Sequence, residues 1–214
     1  MGTSTDGAAV VRILERAAAN MAENKTLLLE LDGVIGDGDL GITMEKGFAA
    51  AAQAARGEAG AEPCAEPGAV FIKAGMALAA KAPSTMGTLM ATGLMRGGKA
   101  VGGKPELSVE DMKAFLAAFF QGVMERGKAK PGEKTLLDIL EPAVQAMQAY
   151  TGSAVAELWK EAEKGAKRGI ENARAMESQH GKAAVFREKT RGLEDPGGRA
   201  VYILVKSFAE ALGA

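Results

Sequence analysis

Apolar side chains recur every three to four positions along most of this chain, the spacing that puts them on one face of an α-helix. Residues 8–23 set Val10, Val11, Ile13, Leu14, Ala17 and Met21 along one stripe, and residues 24–31 carry a leucine-rich run into an acidic segment. Further helices are predicted over 42–56, 68–81, 85–99, 108–128, 136–150, 155–178 and 199–212. Gly57, Pro83 and the turn at 102–105 punctuate them, and Pro142 is expected to interrupt its helix partway along. Ser108 with Asp111 three positions on reads as a near capping box. No run sustains the period-two alternation and β-branched enrichment of a strand. The expected fold is all-α, one domain over 1–214 with about eight helices and short connections, as in an antiparallel bundle.

Composition narrows the functional classes. The 214 residues include 26 basic and 27 acidic side chains, so no whole-protein field favours nucleic acid or an anionic membrane. Aromatics at 5% leave little for base-stacking platforms. The single cysteine, Cys64, excludes an internal disulfide and fits a reducing compartment; its proline-flanked setting within 58–67 reads as a linker. No apolar run approaches the roughly 18 residues of a membrane span, and the first residues lack the basic and apolar regions of a secretory signal. A cytoplasmic location is expected.

Chemistry concentrates between Leu31 and Gly41, where Asp32, Asp37 and Asp39 crowd together with Gly33, Gly36 and Gly38 between them. Carboxylates this close repel one another unless a multivalent cation lies between them, and hard divalent cations take oxygen ligands. A loop rich in both aspartate and glycine suits Mg²⁺ bound together with a phosphate chain. An exposed Asp-Gly turn is the plainer alternative.

Elsewhere the signals are weaker. Pro83-Ser-Thr85 reads as a helix N-cap, either a structural cap or a place where free amides attract phosphate oxygens. The basic, glycine-bearing loop 127–135 either holds a nucleotide or is a solvated turn. Residues 93–100 nearly spell a phosphate-binding P-loop, but Ala100 stands where a hydroxyl must reach Mg²⁺ and no strand precedes it, so a glycine-rich helix end is expected. His180, the sole histidine, reads as a surface residue at a helix end, and Met76, Met86, Met90 and Met95 read as core filler.

In combination these pieces resemble a known family, the nucleotide-binding L subunits of dihydroxyacetone kinases, which also occur as the C-terminal domain of single-chain forms. The likeness rests on Ile35-Gly-Asp-Gly-Asp-Leu-Gly-Ile-Thr-Met44 with Asp32 upstream, on Arg126-Gly-Lys-Ala-Lys-Pro-Gly-Glu-Lys-Thr135, and on Gly181-Lys-Ala followed by Asp195-Pro-Gly197, in that order along nearly the whole chain. It implies an eight-helix antiparallel barrel with the nucleotide site at one end. It also implies two Mg²⁺ ions on Asp32, Asp37 and Asp39, bridging the phosphates of ADP or ATP. Leu40, Gly41, Ile42 and Thr43 would lie at the phosphates through a helix N-terminus, with Ser84 and Thr85 beside them. Gly127 and Leu136 would line the base and ribose, and Lys182 with Asp195, Pro196 and Gly197 would close over the nucleotide.

The resemblance further implies a partner K-type subunit holding dihydroxyacetone on its own histidine, so that this chain carries no catalytic nucleophile. Other implied associations are a phosphotransferase-system phosphoprotein (an M-type subunit) and a homodimer. Two versions remain open, ADP kept as a recharged cofactor and direct exchange for ATP. Leu40 and Lys182 depart from the family, which commonly has His and Arg there; that opens another short ketose as substrate, or a non-catalytic adaptor.

Overall fold

The computed structural model describes residues 4–57 and 66–213, and Cys64 with most of its predicted linker lies outside them. Side-chain caps set where several helices begin. Asp6 accepts a hydrogen bond from the Ala9 amide at 2.7 Å and opens α1, Gly7–Glu23. Ser84 accepts from the Gly87 amide at 3.0 Å and opens α5, Thr85–Ala100. Ser108 and Asp111 exchange both capping-box bonds at the start of α6, Val109–Gly127.

The other helices are α2 (Lys25–Ile35), α3 (Leu40–Arg56), α4 (Pro67–Lys81), α7 (Leu137–Ala149), α8 (Val155–Ala173) and α9 (Pro196–Gly213), with a 3-10 helix over Lys182–Thr190. A two-residue antiparallel pairing joins β1 (Thr5–Asp6) to β2 (Glu106–Leu107), in the register Thr5 to Leu107 and Asp6 to Glu106. It ties the start of α1 to the start of α6.

Among the described residues, eight of the nine α-helices close a ring in which α1, α3, α4, α5, α6, α7, α8 and α9 each pack on the next and α9 returns to α1. The remaining helix, α2, lies outside the ring against α3. The sequence reads 24–31 as a run leading into the acidic segment; the helix found there buries only Leu28 and Ile35. The helix nonetheless runs through Asp32 and Gly33, so the acidic loop proper is only residues 36–39.

Large aromatic side chains fill the ring. Trp159 stacks on Phe208 with centroids 4.0 Å apart, and Phe115 lies between Phe71 and Phe208 at 4.2 and 5.8 Å. Gly97 and Gly98 of α5 pack against Phe115 and Phe71, so the near P-loop is a helix face inside the barrel. Met90 is fully buried, whereas Met76 is 61% exposed, off the stripe of Val70, Phe71, Ala74 and Leu78. Pro142 does not break α7. It costs the one bond its missing N–H would give to residue 138, and the buried face of Leu140, Ala143 and Met147, packed on α8, carries the helix through. Among the described residues no helix is long and apolar enough to cross a membrane.

Candidate functional site

One end of the ring opens into a cleft of about 390 Å³. The N-termini of α3, α5, α7 and α9 all reach it, through Leu40, Thr85, Leu137 and Pro196, and α6 brings its C-terminal Gly127 to the same place. That arrangement requires alternating helix directions around this part of the ring. It also turns the positive ends of four helix dipoles toward one volume, a bias toward anions.

At the edge of that volume sit three carboxylates. Asp32, from the last turns of α2, and Asp37 and Asp39, from the loop after it, each offer an oxygen within 4.8 Å of the others. The chain turns sharply enough to gather them because residue 36 is glycine: a Cβ there would lie 2.0 Å from Asp32 Oδ1. Asp32 Oδ2 accepts from the amides of Asp39 and Leu40 at 3.0 and 3.2 Å, which fixes its rotamer and ties α2 to the start of α3. Asp37 pairs with the Lys182 ammonium. This contact holds the Asp37 carboxyl below the usual carboxylate range, and it raises the lysine. A cation thus already stands among the oxygens, and the donor set is the hard-oxygen type that Mg²⁺ takes.

Two further elements build the walls. The loop after α6 is held by Asp138, which accepts from the amides of Gly132 and Thr135 at 2.5 and 2.7 Å. The strap of residues 174–192, between α8 and α9, carries Lys182 and also His180, whose Nε2 lies 2.5 Å from Glu133 Oε2. Glu133 is held below its ordinary value, first by the Lys130 amide it accepts from and then by His180. Asp195 lies at the foot of α9, where it accepts from the Gly198 amide at 2.5 Å. Burial pushes its carboxyl up to about 7, with Asp138 adding to the rise and the Gly198 amide and Lys134 opposing it.

Of the residues singled out from sequence, Asp32, Asp37, Asp39, Leu40, Thr43, Ser84, Thr85, Gly127, Leu136, Lys182, Asp195, Pro196 and Gly197 all line this cleft. Gly41 and Ile42 do not. Gly41 is buried where α3 crosses α2, with room for no Cβ beside the Lys25 carbonyl, and Ile42 faces outward, 38% exposed. Sequence reasoning passed over the apolar wall of Met86, Leu89 and Val123, because buried positions at helical spacing look alike whether they face a core or a cleft. His180 lines the cleft too, although it reads as an ordinary surface residue. Lys134 had a visible signal in the basic loop 127–135.

The family described as the DAK2 domain matches residues 34–210. The chain belongs to it. This DAK2 domain is 30% identical over 202 residues to the Listeria innocua protein named PEP-dependent dihydroxyacetone kinase 1, ADP-binding subunit DhaL, with 94% of each chain covered. It is 26% identical over 204 residues to the Escherichia coli PEP-dependent dihydroxyacetone kinase, ADP-binding subunit DhaL, covering 94% of this chain and 95% of that one. An L-erythrulose kinase of Pectobacterium atrosepticum is 30% identical over 207 residues, but there the DAK2 domain spans only 35% of the relative. Among solved structures, the dihydroxyacetone kinase from C. freundii in complex with AMP-PNP and Mg²⁺ superposes with a TM-score of 0.70 at 25% identity, over 95% of this chain and 34% of that one.

Proposed function

We propose that the cleft holds a magnesium complex of ADP or ATP, and that the chain is the nucleotide-binding subunit of a dihydroxyacetone kinase. On this reading it passes a phosphoryl group to dihydroxyacetone, or a similar short ketose, held by a K-type partner subunit. One observation carries the reading: three carboxylates stand within 4.8 Å of one another at the edge of a cleft onto which four helix N-termini open. Helix ends favour phosphate and the carboxylates oppose it, and divalent cations between the two reconcile them. Three carboxylates with two Mg²⁺ leave a local charge of about +1 for the phosphate chain to meet.

Asp32, Asp37 and Asp39 are the residues that would hold the metal, which when bound would neutralise charge on the phosphates during transfer. At the start of α3, Leu40 and Thr43 line the cleft, and the Thr43 hydroxyl with the Ser84–Thr85 cap would hold phosphate oxygens. Gly127 and Leu136, with the apolar wall of Met86, Leu89 and Val123, suit the flat face of a base. Lys182 and residues 195–197 would cover the nucleotide from the other side. Phosphoryl transfer asks mainly for positioning and charge neutralisation, so a chain without a nucleophile is sufficient for this half of the site.

The end-to-end likeness to subunits named ADP-binding and PEP-dependent favours ADP kept as a cofactor, recharged by a phosphoprotein of the phosphoenolpyruvate-dependent system. The erythrulose kinase relative supports a short ketose other than dihydroxyacetone as an acceptor. A nucleotide-binding adaptor without catalysis is the second reading; Leu40, apolar and 5% exposed beside the trio, favours it. The test is to combine the purified chain with a K-type subunit and dihydroxyacetone, and to supply either ATP alone or a phosphoprotein with ADP-loaded chain. Turnover with the phosphoprotein alone supports the cofactor version, repeated turnover with ATP alone excludes it, and none with either donor leaves the adaptor.

A further inference from the structure

We infer that Lys134 is a positioning residue that pins the strap of residues 174–192 so that Lys182 reaches the acidic trio; this rests on the reading of the cleft as the functional site. Lysines that line phosphate clefts usually act as point charges on the ligand. Lys134 is 2% exposed, and its ammonium donates to three main-chain carbonyls: Arg174 at 3.3 Å, Met176 at 3.1 Å and Thr190 at 2.5 Å. An ammonium has three N–H donors, and these acceptors take all of them. Lys134 therefore acts through the strap and not on a phosphate.

The three carbonyls lie 40, 42 and 56 positions away along the chain, on both limbs of the strap, so one side chain gathers its two ends. Thr190 is fully buried and works as the second clasp. Its Oγ1 accepts from the Ser178 amide at 2.9 Å and donates to the Arg187 carbonyl at 2.6 Å. The Gly192 amide closes the strap on the Arg174 carbonyl at 2.8 Å. Held in this way, the 3-10 helix Lys182–Thr190 presents its first residue to Asp37. Lys134 itself sits at φ +53°, a left-handed backbone that aims its stem inward from the loop after α6. Burial lowers the ammonium's affinity for its proton while Asp195 opposes that, and the carbonyls satisfy the charge that remains.

The experiment uses the full chain and four variants: Lys134→Met, which keeps the length of the stem and removes all three donors, Lys134→Arg, Lys182→Ala, and the double variant Lys134→Met/Lys182→Ala. Amide hydrogen exchange without nucleotide should show residues 178–192 exchanging faster in Lys134→Met, with α1 and α4 unchanged, and a smaller change in Lys134→Arg. Mg-ADP dissociation constants should rise about tenfold in Lys134→Met, the lower end for groups one layer behind a bound ligand. Lys182→Ala should then add less in the Lys134→Met background than it does alone, because both act through the same contact.

Unchanged strap exchange, unchanged affinity or fully additive losses would each overturn the inference. Should Lys134→Met not fold, Thr190→Val loosens the same strap without unpairing a buried charge, and a folded Thr190→Val with parental exchange overturns it equally. A parent chain that does not bind Mg-ADP overturns the functional reading alone; the exchange comparison still decides whether Lys134 is the pin.

Discussion

Lys182 reaches across 145 positions of sequence to place its ammonium on the Asp37 carboxylate, joining the strap before α9 to the acidic loop before α3. That ammonium stands where a divalent cation would have to enter. Removing it should make entry easier. Lys182→Ala is expected to bind Mn²⁺ alone severalfold more tightly than the parent, and no more than that, because exposed ion pairs contribute little. Electron paramagnetic resonance of free Mn²⁺ measures this directly, and weaker binding in the variant would mean that Lys182 organises the oxygens and does not compete for them.

Asp195 gives a pH dependence of defined sign. Its folded-state carboxyl titrates at about 7, above its ordinary value of 3.8, so the folded chain binds more protons than the unfolded one between those two values. Stability from this group is complete below 3.8, falls as pH rises through about 7, and is flat above. Asp195→Asn keeps an acceptor for the Gly198 amide and does not titrate. Its melting temperature relative to the parent should therefore climb between pH 4 and 8. The change is worth at most a few kcal/mol, since a tenfold difference in proton affinity corresponds to about 1.4 kcal/mol. A flat difference across that range would show that Asp195 is ionised throughout.

The aromatic filling of the ring should govern stability and leave the cleft alone. Trp159 is fully buried on Phe208 and does not line the cleft. Trp159→Ala is expected to lose about 3–5 kcal/mol in urea unfolding. The folded fraction should bind Mg-ADP with parental affinity, which calorimetry corrected for unfolded protein would show.

Local signals made the ring helices legible. The stripe of Val10, Ile13, Leu14 and Ala17, the Ser108–Asp111 capping box and the Ser84 cap each depend on residues within a few positions of one another. Where the sequence misled, longer contacts decide. Pro142 argues for a break, and packing on α8 overrides it. The end of α2 looks like loop because Gly33 and Asp32 are poor helix formers, yet Asp32 stays helical and turns its carboxylate onto the amides of residues 39 and 40.

The acidic trio could be read because its members lie within eight residues. The walls opposite could be read only in part, since His180 meets Glu133 across 47 positions and Lys134 meets Thr190 across 56. No periodicity or short motif encodes such pairs. Gly41 shows the reverse error: its place in a motif points to the phosphates, while its lack of a side chain serves the crossing of α3 on α2.

The most direct test of the account is the thermal shift given by ADP with and without Mg²⁺, in the parent and in Asp37→Ala. Asp37 is exposed and contributes nothing to the barrel core, so the variant should melt near the parent when neither ligand is present. The account predicts that Mg²⁺ with ADP stabilises the parent and that this Mg²⁺-dependent part of the shift is lost in Asp37→Ala. An identical Mg²⁺-dependent shift in the two proteins would contradict it.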